Sequence, residues 1–455
     1  MSLGQSRRAV FGSAAGAVGA WALAACGATG GGSAAEGGGA ASKAPAAIRL
    51  GERATAEAQA LDARLPVFAE KYPHIKVVRE VITGDMIVAL QSMAVSNSLP
   101  DNVHAYTGGQ QYHTFALNGA LRNIESFIAR DKFDLKGFFP EMVEIMRIDG
   151  KLFGLPFKGQ VLTGGFYYNV SLFEKAGVSL PTDSWTLDDL VKAAQRLTVR
   201  QGSETTQWGY GLQSWGGENF TGHMRQWNGD SLSKDGKRAM MDSPEVVEGL
   251  QWYETMFQRE RILHPITDAP ADFLQGKIAM LGRTYFNYKS SILPSVGDPR
   301  TGKFKWDGAM MPKNAKTGKR GGIFAGDSHA VSRDSKAPDQ AFELLKWLTD
   351  KEFGVALGSQ TVGSTTLGGR PDVYADERIL NHAAYTKQMQ KAQLDSVTQI
   401  HEPSVVPYNF RAPEVFGVRD TGVTKIADGA AKAEVGFLRE LSREMQLLLD
   451  MPRPS

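Results

Sequence analysis

The chain has 455 residues, and its 51 lysines and arginines against 49 aspartates and glutamates leave it nearly neutral. A formal net charge of +2 with scattered basic residues argues against a partner held by charge alone, nucleic acid above all. Single cores stop growing at roughly 250–300 residues, so two lobes are expected; with one cysteine in the chain, they must fold without a disulfide.

The first 25 residues have the composition of an export signal. Ser6-Arg7-Arg8 opens an Ala/Gly/Val run that is too short and too rich in small residues for a membrane-spanning helix. It ends in Leu23-Ala24-Ala25-Cys26, which matches the bacterial lipobox and implies a diacylglyceryl thioether on Cys26, two acyl chains being enough for stable anchoring. The arginine pair resembles a twin-arginine signal, but Val10 and Gly12 depart from that pattern, so Sec export stays open. Residues 26–47 then form a Gly/Ala/Ser tether that holds the body off the membrane.

The body begins with a strand at residues 48–51, a helix over 54–72 and a second strand from Pro73, the βαβ order of a parallel sheet. A helix over 86–95 leads to a third strand and to the loop Tyr106-Thr107-Gly108-Gly109-Gln110-Gln111, placed beyond a strand's carboxyl end where ligands sit in open α/β sheets. Asp149-Gly150 is a turn, and strands are expected over 152–157 and 166–168. Between them Gly159, Gly164 and Gly165 soften a loop suited to a hinge. Thr186 caps a helix whose Asp188-Asp189 face the positive helix end, with Trp185 as a packing residue. Residues 209–220 form a second binding loop, and Ser243-Pro244-Glu245 starts a helix running to about residue 260.

The block Gly150-Lys151-Leu152-Phe153-Gly154-Leu155-Pro156-Phe157, followed by Tyr167-Tyr168-Asn169 and by Phe173 with Ala176-Gly177, closely resembles the hallmark of the family 1 extracellular solute-binding proteins. These are sugar-capturing receptors of bacterial ABC importers, including the maltose-binding type. Pro100-Asp101 with Val103, Phe273 with Gly276-Lys277 and Ala279-Met280, and Gly321-Gly322 follow in family order. The resemblance spans residues 48–449 and implies a two-lobed α/β periplasmic-binding-protein fold of type II, its interleaved lobes joined by three hinge crossings. Lobe 1 would comprise 48–160 and 313–362, and lobe 2 would comprise 161–312 and 363–455. Met311-Pro312 would form the second crossing, and Gly363 would lie in the third. A monomer that closes on solute and docks on permease subunits is implied, with no cofactor or metal.

A sugar offers apolar C–H faces and a rim of hydroxyls, so aromatic faces and side chains that both donate and accept should hold it. Tyr106, Gln110 and Gln111 supply that mixture, as do Trp215, Glu218 and Asn219; Arg283, Tyr285 and Phe286; and Tyr408 and Phe416. Relatives often have a tryptophan where this chain has Tyr285-Phe286. Arg53, Arg283 and Lys158 keep a glycerol-phosphate diester or polyol open as the solute, and a surface glycoside hydrolase or a ligandless scaffold are further alternatives. No catalytic motif is complete. Residues 297–304 have the P-loop spacing with Phe304 where a magnesium-binding Ser or Thr belongs, Ser328-His329 lacks nucleophile-elbow geometry, and the eight histidines lack metal spacing.

Overall fold

The computed structural model describes residues 41–53, 57–84, 86–106, 111–213, 215–265, 269–282, 292–360, 367–400 and 411–452. Twelve strands are named among them: β1 Ala46–Arg53, β2 Ile75–Ile82, β3 Asn102–Tyr106, β4 Arg147–Ile148, β5 Lys151–Leu152, β6 Gly154–Leu162, β7 Gly165–Asn169, β8 Val199–Gln201, β9 Glu204–Leu212, β10 Ile278–Gly282, β11 Trp306–Met310 and β12 Ile323–Val331. They build two five-stranded sheets, ordered β2-β1-β3-β12-β6 and β11-β7-β10-β9-β8, beside the small β4-β5 hairpin. Helices cover both sheets, as expected for strands that read as nearly continuous apolar runs.

Strand direction follows from how the chain passes between the sheets. β6 ends at Leu162 in the first sheet, and β7 begins at Gly165 in the second. So short a passage leaves no room for a reversal between β6 and β7. In the second sheet β7 runs antiparallel to β10, while β9 and β10 run parallel. β11 then returns antiparallel to β7, and β12 enters the first sheet antiparallel to both β3 and β6. The carboxyl ends of β1, β3 and β6 in one sheet, and of β9, β10 and β11 in the other, therefore all point toward the crossings.

Each sheet has its own core. Ile48, Leu50, Val103, Phe157 and Phe324 pack with Ala341, Phe342, Leu344 and Leu345 of the helix Pro338–Leu348, whose apolar residues recur at helical spacing. On the other sheet Phe166, Tyr168, Leu212 and Met280 pack with Leu190, Ala194 and Leu197 of the helix Leu187–Leu197. That helix starts in a capping box, Asp189 accepting the Thr186 N–H at 2.9 Å while Thr186 Oγ1 accepts the Asp189 N–H at 3.3 Å. Ser243 caps Pro244–Glu254 with proline in the first turn, and Trp185 packs against the second core with its ring 6.3 Å from Phe173.

The chain stays with the first core through Val373, Tyr374 and Ile379. The helix Lys387–Gln399 then lays Met389 and Ala392 on Trp306 and Met310 of β11, while Val397 and Ile400 at its far end reach the first core. Gly363 lies outside the described residues.

The first hinge loop is shorter than the glycines suggested. Residues 158–162 belong to β6 because both of its edges are paired: Ile323 to Ala330 lie on one side, and on the other the Gly159 N–H donates to the Leu367 carbonyl at 3.1 Å. Gly159 is thus a strand residue and not a loop residue, its carbonyl accepting the Tyr374 hydroxyl. Only Thr163 and Gly164 remain to cross, and Thr163 sits at φ 54°, a region a β-branched residue seldom occupies. Opposite Gly159, Gly326 is required for close approach, since a Cβ there would lie 2.0 Å from the Lys158 carbonyl oxygen and 2.2 Å from Met142 Cε. Gly326→Ala should cost about 1–3 kcal/mol of stability through overpacking, measurable as a lower urea midpoint, whereas Gly150→Ala has open space and only its positive φ against it.

Candidate functional site

In the first sheet β1 is flanked by β2 on one side and β3 on the other, so the order reverses at the end of β1, the switch point where open α/β sheets bind ligands. Arg53 ends β1 and Tyr106 ends β3, both half-buried. The facing sheet lies close by. The Met311 N–H donates to the Gly164 carbonyl and the Gly322 N–H to the Gly222 carbonyl, each at 2.9 Å. Thr163 Oγ1 lies where a Cβ on Gly222 would fall, at 1.8 Å.

Beneath the switch point lies a knot of buried charge. Lys158, 1 % exposed on β6, donates to Glu57 Oε1 and lies 3.6 Å from Asp327 Oδ2 on β12. Asp327 also accepts from His104 Nε2 of β3 at 2.8 Å, and one Arg53 nitrogen reaches both Glu57 and Asp327 at 3.3 Å. The register between β12 and β6 shifts between Asp327 and Ser328, where Pro156 has no N–H to offer, and this irregularity carries Asp327 opposite Lys158. His329 stacks on His104 at 5.2 Å and meets the edge of Phe157 at 4.3 Å.

The knot holds two cations and two carboxylates, so it carries no net charge once its histidines are neutral. Burial would raise the Glu57 and Asp327 carboxyls, but Lys158, His104 and Arg53 outweigh it and hold both below the usual range. Burial pulls Lys158 below the ordinary ammonium range and His104 and His329 below the ordinary imidazole value. Pairing is what keeps this cluster ionised. Its solvent-facing member is Arg53, with a side chain 40 % exposed.

The expected binding residues divide into four groups. Arg53, Tyr106 and Gln111 come together at the first sheet's end, where Gln111 Oε1 accepts the Tyr106 N–H at 3.2 Å, although Gln111 itself is buried. In the second half Asn219 is half-buried on the helix Gly217–Met224, Phe416 is half-buried on the helix Ala412–Ala427, and one arginine, Arg419, stacks on Phe416 at 4.3 Å. Trp215 is corrected: it is 3 % exposed, its indole N–H donates to the Val423 carbonyl at 3.2 Å, and its ring packs on Tyr253 at 4.4 Å. It is a core residue, because an indole can satisfy its single donor inside while burying its whole face. Gln110, Arg283, Tyr285, Phe286, Tyr408 and Cys26 lie outside the described residues, as does the side chain of Glu218.

Sequence reasoning missed Glu57, His104, Asp327 and the buried state of Lys158. A signal was available, since Val103-His104-Ala105 and Ala325-Gly326-Asp327-Ser328-His329-Ala330 set ionisable groups inside runs that otherwise suit buried strands. A separate cavity of about 240 Å³ sits at the second crossing, lined by Arg225, Lys313, Lys319, Arg320, Gln399 and Ile400 among others. Arg225 is paired with Asp230 at 3.1 Å. Among the described residues no group of three or more His, Cys, Asp or Glu could hold a metal, and no helix is long and apolar enough to cross a membrane.

Two sheets whose strands direct their carboxyl ends toward the crossings define a two-lobed binding protein of the periplasmic type. The chain belongs to the bacterial extracellular solute-binding protein family, whose pattern matches residues 49–354. It is similar to a binding protein of Brucella abortus, 26 % identical over 296 residues that cover 63 % of this chain and 67 % of that one. In fold it is similar to the ABC substrate-binding protein Lmo0181 of Listeria monocytogenes, solved with cycloalternan, at a TM-score of 0.75 and 21 % identity over 89 % of this chain and 99 % of that one. It is also similar in fold to UgpB of Mycobacterium tuberculosis, solved with glycerophosphocholine, at a TM-score of 0.73 and 14 % identity over 89 % and 98 % of the two chains.

The buried histidines set an acid limit. Burial lowers His113 to about 4 against the smaller opposing effect of its bond to the Ile145 carbonyl, and it lowers His104 and His329 as well. Below the ordinary imidazole value near 6.5 the unfolded chain takes up protons that the native one refuses, so stability falls as pH falls from there toward 4. Urea melts should show unfolding free energy dropping between pH 7 and 5 by up to about 1.4 kcal/mol per pH unit for each such histidine. His113→Gln should flatten that slope.

Proposed function

We propose that this protein is a lipid-anchored receptor of an ABC importer that encloses a neutral polyhydroxylated solute, a sugar or oligosaccharide, between its two sheet ends and delivers it to the permease. The observation that carries the proposal is the charge-balanced knot beneath the switch point. It offers a rigid, partly exposed guanidinium backed by carboxylates, which suits hydroxyl groups and leaves no uncompensated positive charge for a phosphate. Sugars bound to proteins of this fold support the same class: cycloalternan in the Listeria protein, maltotriose in the Bdellovibrio bacteriovorus maltodextrin-binding domain. The lobes close about the crossings, as periplasmic binding proteins do around their ligands, and the gain in binding free energy in the closed state shifts the equilibrium toward it.

The alternative is an anionic solute such as a glycerol-phosphate diester. It is favoured by the cavity with four basic side chains at the second crossing and by glycerophosphocholine in the Mycobacterium protein.

Thermal melting against glucose, maltose, maltotriose, lactose, trehalose and glycerophosphocholine separates the two. A shift with at least one saccharide is expected; a shift with glycerophosphocholine alone would replace the sugar by the phosphodiester. Arg53→Ala should weaken binding of the best saccharide at least tenfold, the size of one lost charge-assisted hydrogen bond, about 1.5–3 kcal/mol. Anchoring is tested separately. Cys26→Ser should move the protein from the membrane fraction to the soluble one and abolish labelling by a palmitate analogue.

A further inference from the structure

The loop that follows β9 is fastened to the helix Ala412–Ala427 through both backbone groups of one residue. The Gly217 N–H donates to Asp420 Oδ2 at 2.8 Å, and the Gly217 carbonyl accepts from Arg419 at 2.7 Å. Arg419 Nε in turn donates to Asp420 Oδ1 at 2.8 Å, so the two side chains act as one fork. Gly217 holds φ 61°, and a Cβ on the preceding Gly216 would fall 2.9 Å from Asp420 Cγ, so the loop and the carboxylate meet at a distance only glycine permits. Two residues earlier, Trp215 is bonded to Val423 of the same helix.

Arg419 is 1 % exposed, lies between the rings of Phe220 and Phe416 at 5.1 and 4.3 Å, and donates also to Ser231 Oγ at 3.2 Å. One guanidinium thus joins Phe416 of its own helix to two places about 190–200 residues earlier in the chain, Gly217 beyond β9 and Ser231. A helix serving only to cover the sheet needs apolar contacts, which Val415, Val423 and Ile426 already supply. The fork instead ties the backbone of Gly217, beyond the end of β9, to the helix.

We infer that Arg419 and Asp420 are positioning residues for solute binding, holding the loop of Gly216 and Gly217 and the Phe416 ring in the arrangement that meets a saccharide when the lobes close. The inference rests on the saccharide receptor proposed above. Preorganising a loop cuts the ordering cost of binding and so appears in affinity, whereas a purely structural bond appears in stability. Asp420 is the better probe because its side chain is one-third exposed, so the Gly217 N–H freed by its removal can bond to water.

The test compares full-length wild type with Asp420→Ala, Arg419→Lys and the control Glu414→Ala, which removes the half-exposed Glu414 carboxylate from its pair with Arg411 just before the same helix. Affinity for the saccharide that shifts the wild type most is measured by calorimetry, alongside thermal melting. Asp420→Ala is expected to weaken binding about tenfold, or 1.4 kcal/mol, while its melting temperature stays within about 3 °C of wild type. Arg419→Lys, which keeps the charge and loses the fork, is expected to weaken binding similarly, and Glu414→Ala to leave it unchanged. Affinity of Asp420→Ala within twofold of wild type, or an equal loss in Glu414→Ala, overturns the positioning role while leaving the receptor intact. If no saccharide binds the wild type, the receptor proposal fails first and this one falls with it.

Discussion

The constraint on which the rest of the fold depends is the brevity of the first passage between the sheets. Two residues, Thr163 and Gly164, separate a strand of one sheet from a strand of the other. A passage that short fixes the direction in which β7 enters the second sheet, where it runs antiparallel to β10, and β12 re-enters the first sheet antiparallel to β3. The same geometry turns the carboxyl ends of both sheets toward one region, and a site there follows from topology before any side chain is considered. It also concentrates backbone strain. Thr163 holds a positive φ, and Gly321 and Gly322 do so across from it, as expected where a chain must bend sharply with its neighbours in contact.

The buried knot follows from that topology. β6 runs into the first crossing and β12 leaves the second, and Lys158 and Asp327 face each other on them. Charges buried this deeply would be costly singly, since desolvation of each ion outweighs what water-exposed pairing returns. Here every charge has a partner of opposite sign, and His104 adds a hydrogen bond to the most heavily used carboxylate oxygen. Such an arrangement contributes little net stability over an apolar core, so its presence is better explained by what it holds in place. The group it holds is the Arg53 guanidinium at the switch point.

The second half solves the same positioning problem with different chemistry. Its sheet-end loop is fastened from outside, by a helix more than 190 residues further along the chain, through an indole, a carboxylate and a guanidinium. The end of the first sheet is thus held by bonds to its own strands, and that of the second by a helix from the far end of the chain. The strut Lys387–Gln399, touching β11 of the second sheet and the first core, lies between them in sequence.

The sequence by itself determined the elements whose causes are local. Thr186 and Ser243 cap helices through bonds to residues three positions away, the βαβ start follows from apolar periodicity, and the block from Gly150 to Gly177 carries the family. Tertiary structure alone decided what depends on partners remote in the chain. Lys158 looked like a polar loop residue until β12 paired on one side and Leu367 on the other, and Trp215 looked like a sugar platform until Val423 took its N–H. Arg53 reaches Asp327 and Gly217 reaches Asp420 across 274 and 203 residues. Local propensity can say that a residue will be buried or that a loop will bend. Which distant charge or carbonyl it meets is settled only when the sheets assemble, because that choice is made by strand register and not by neighbours in sequence.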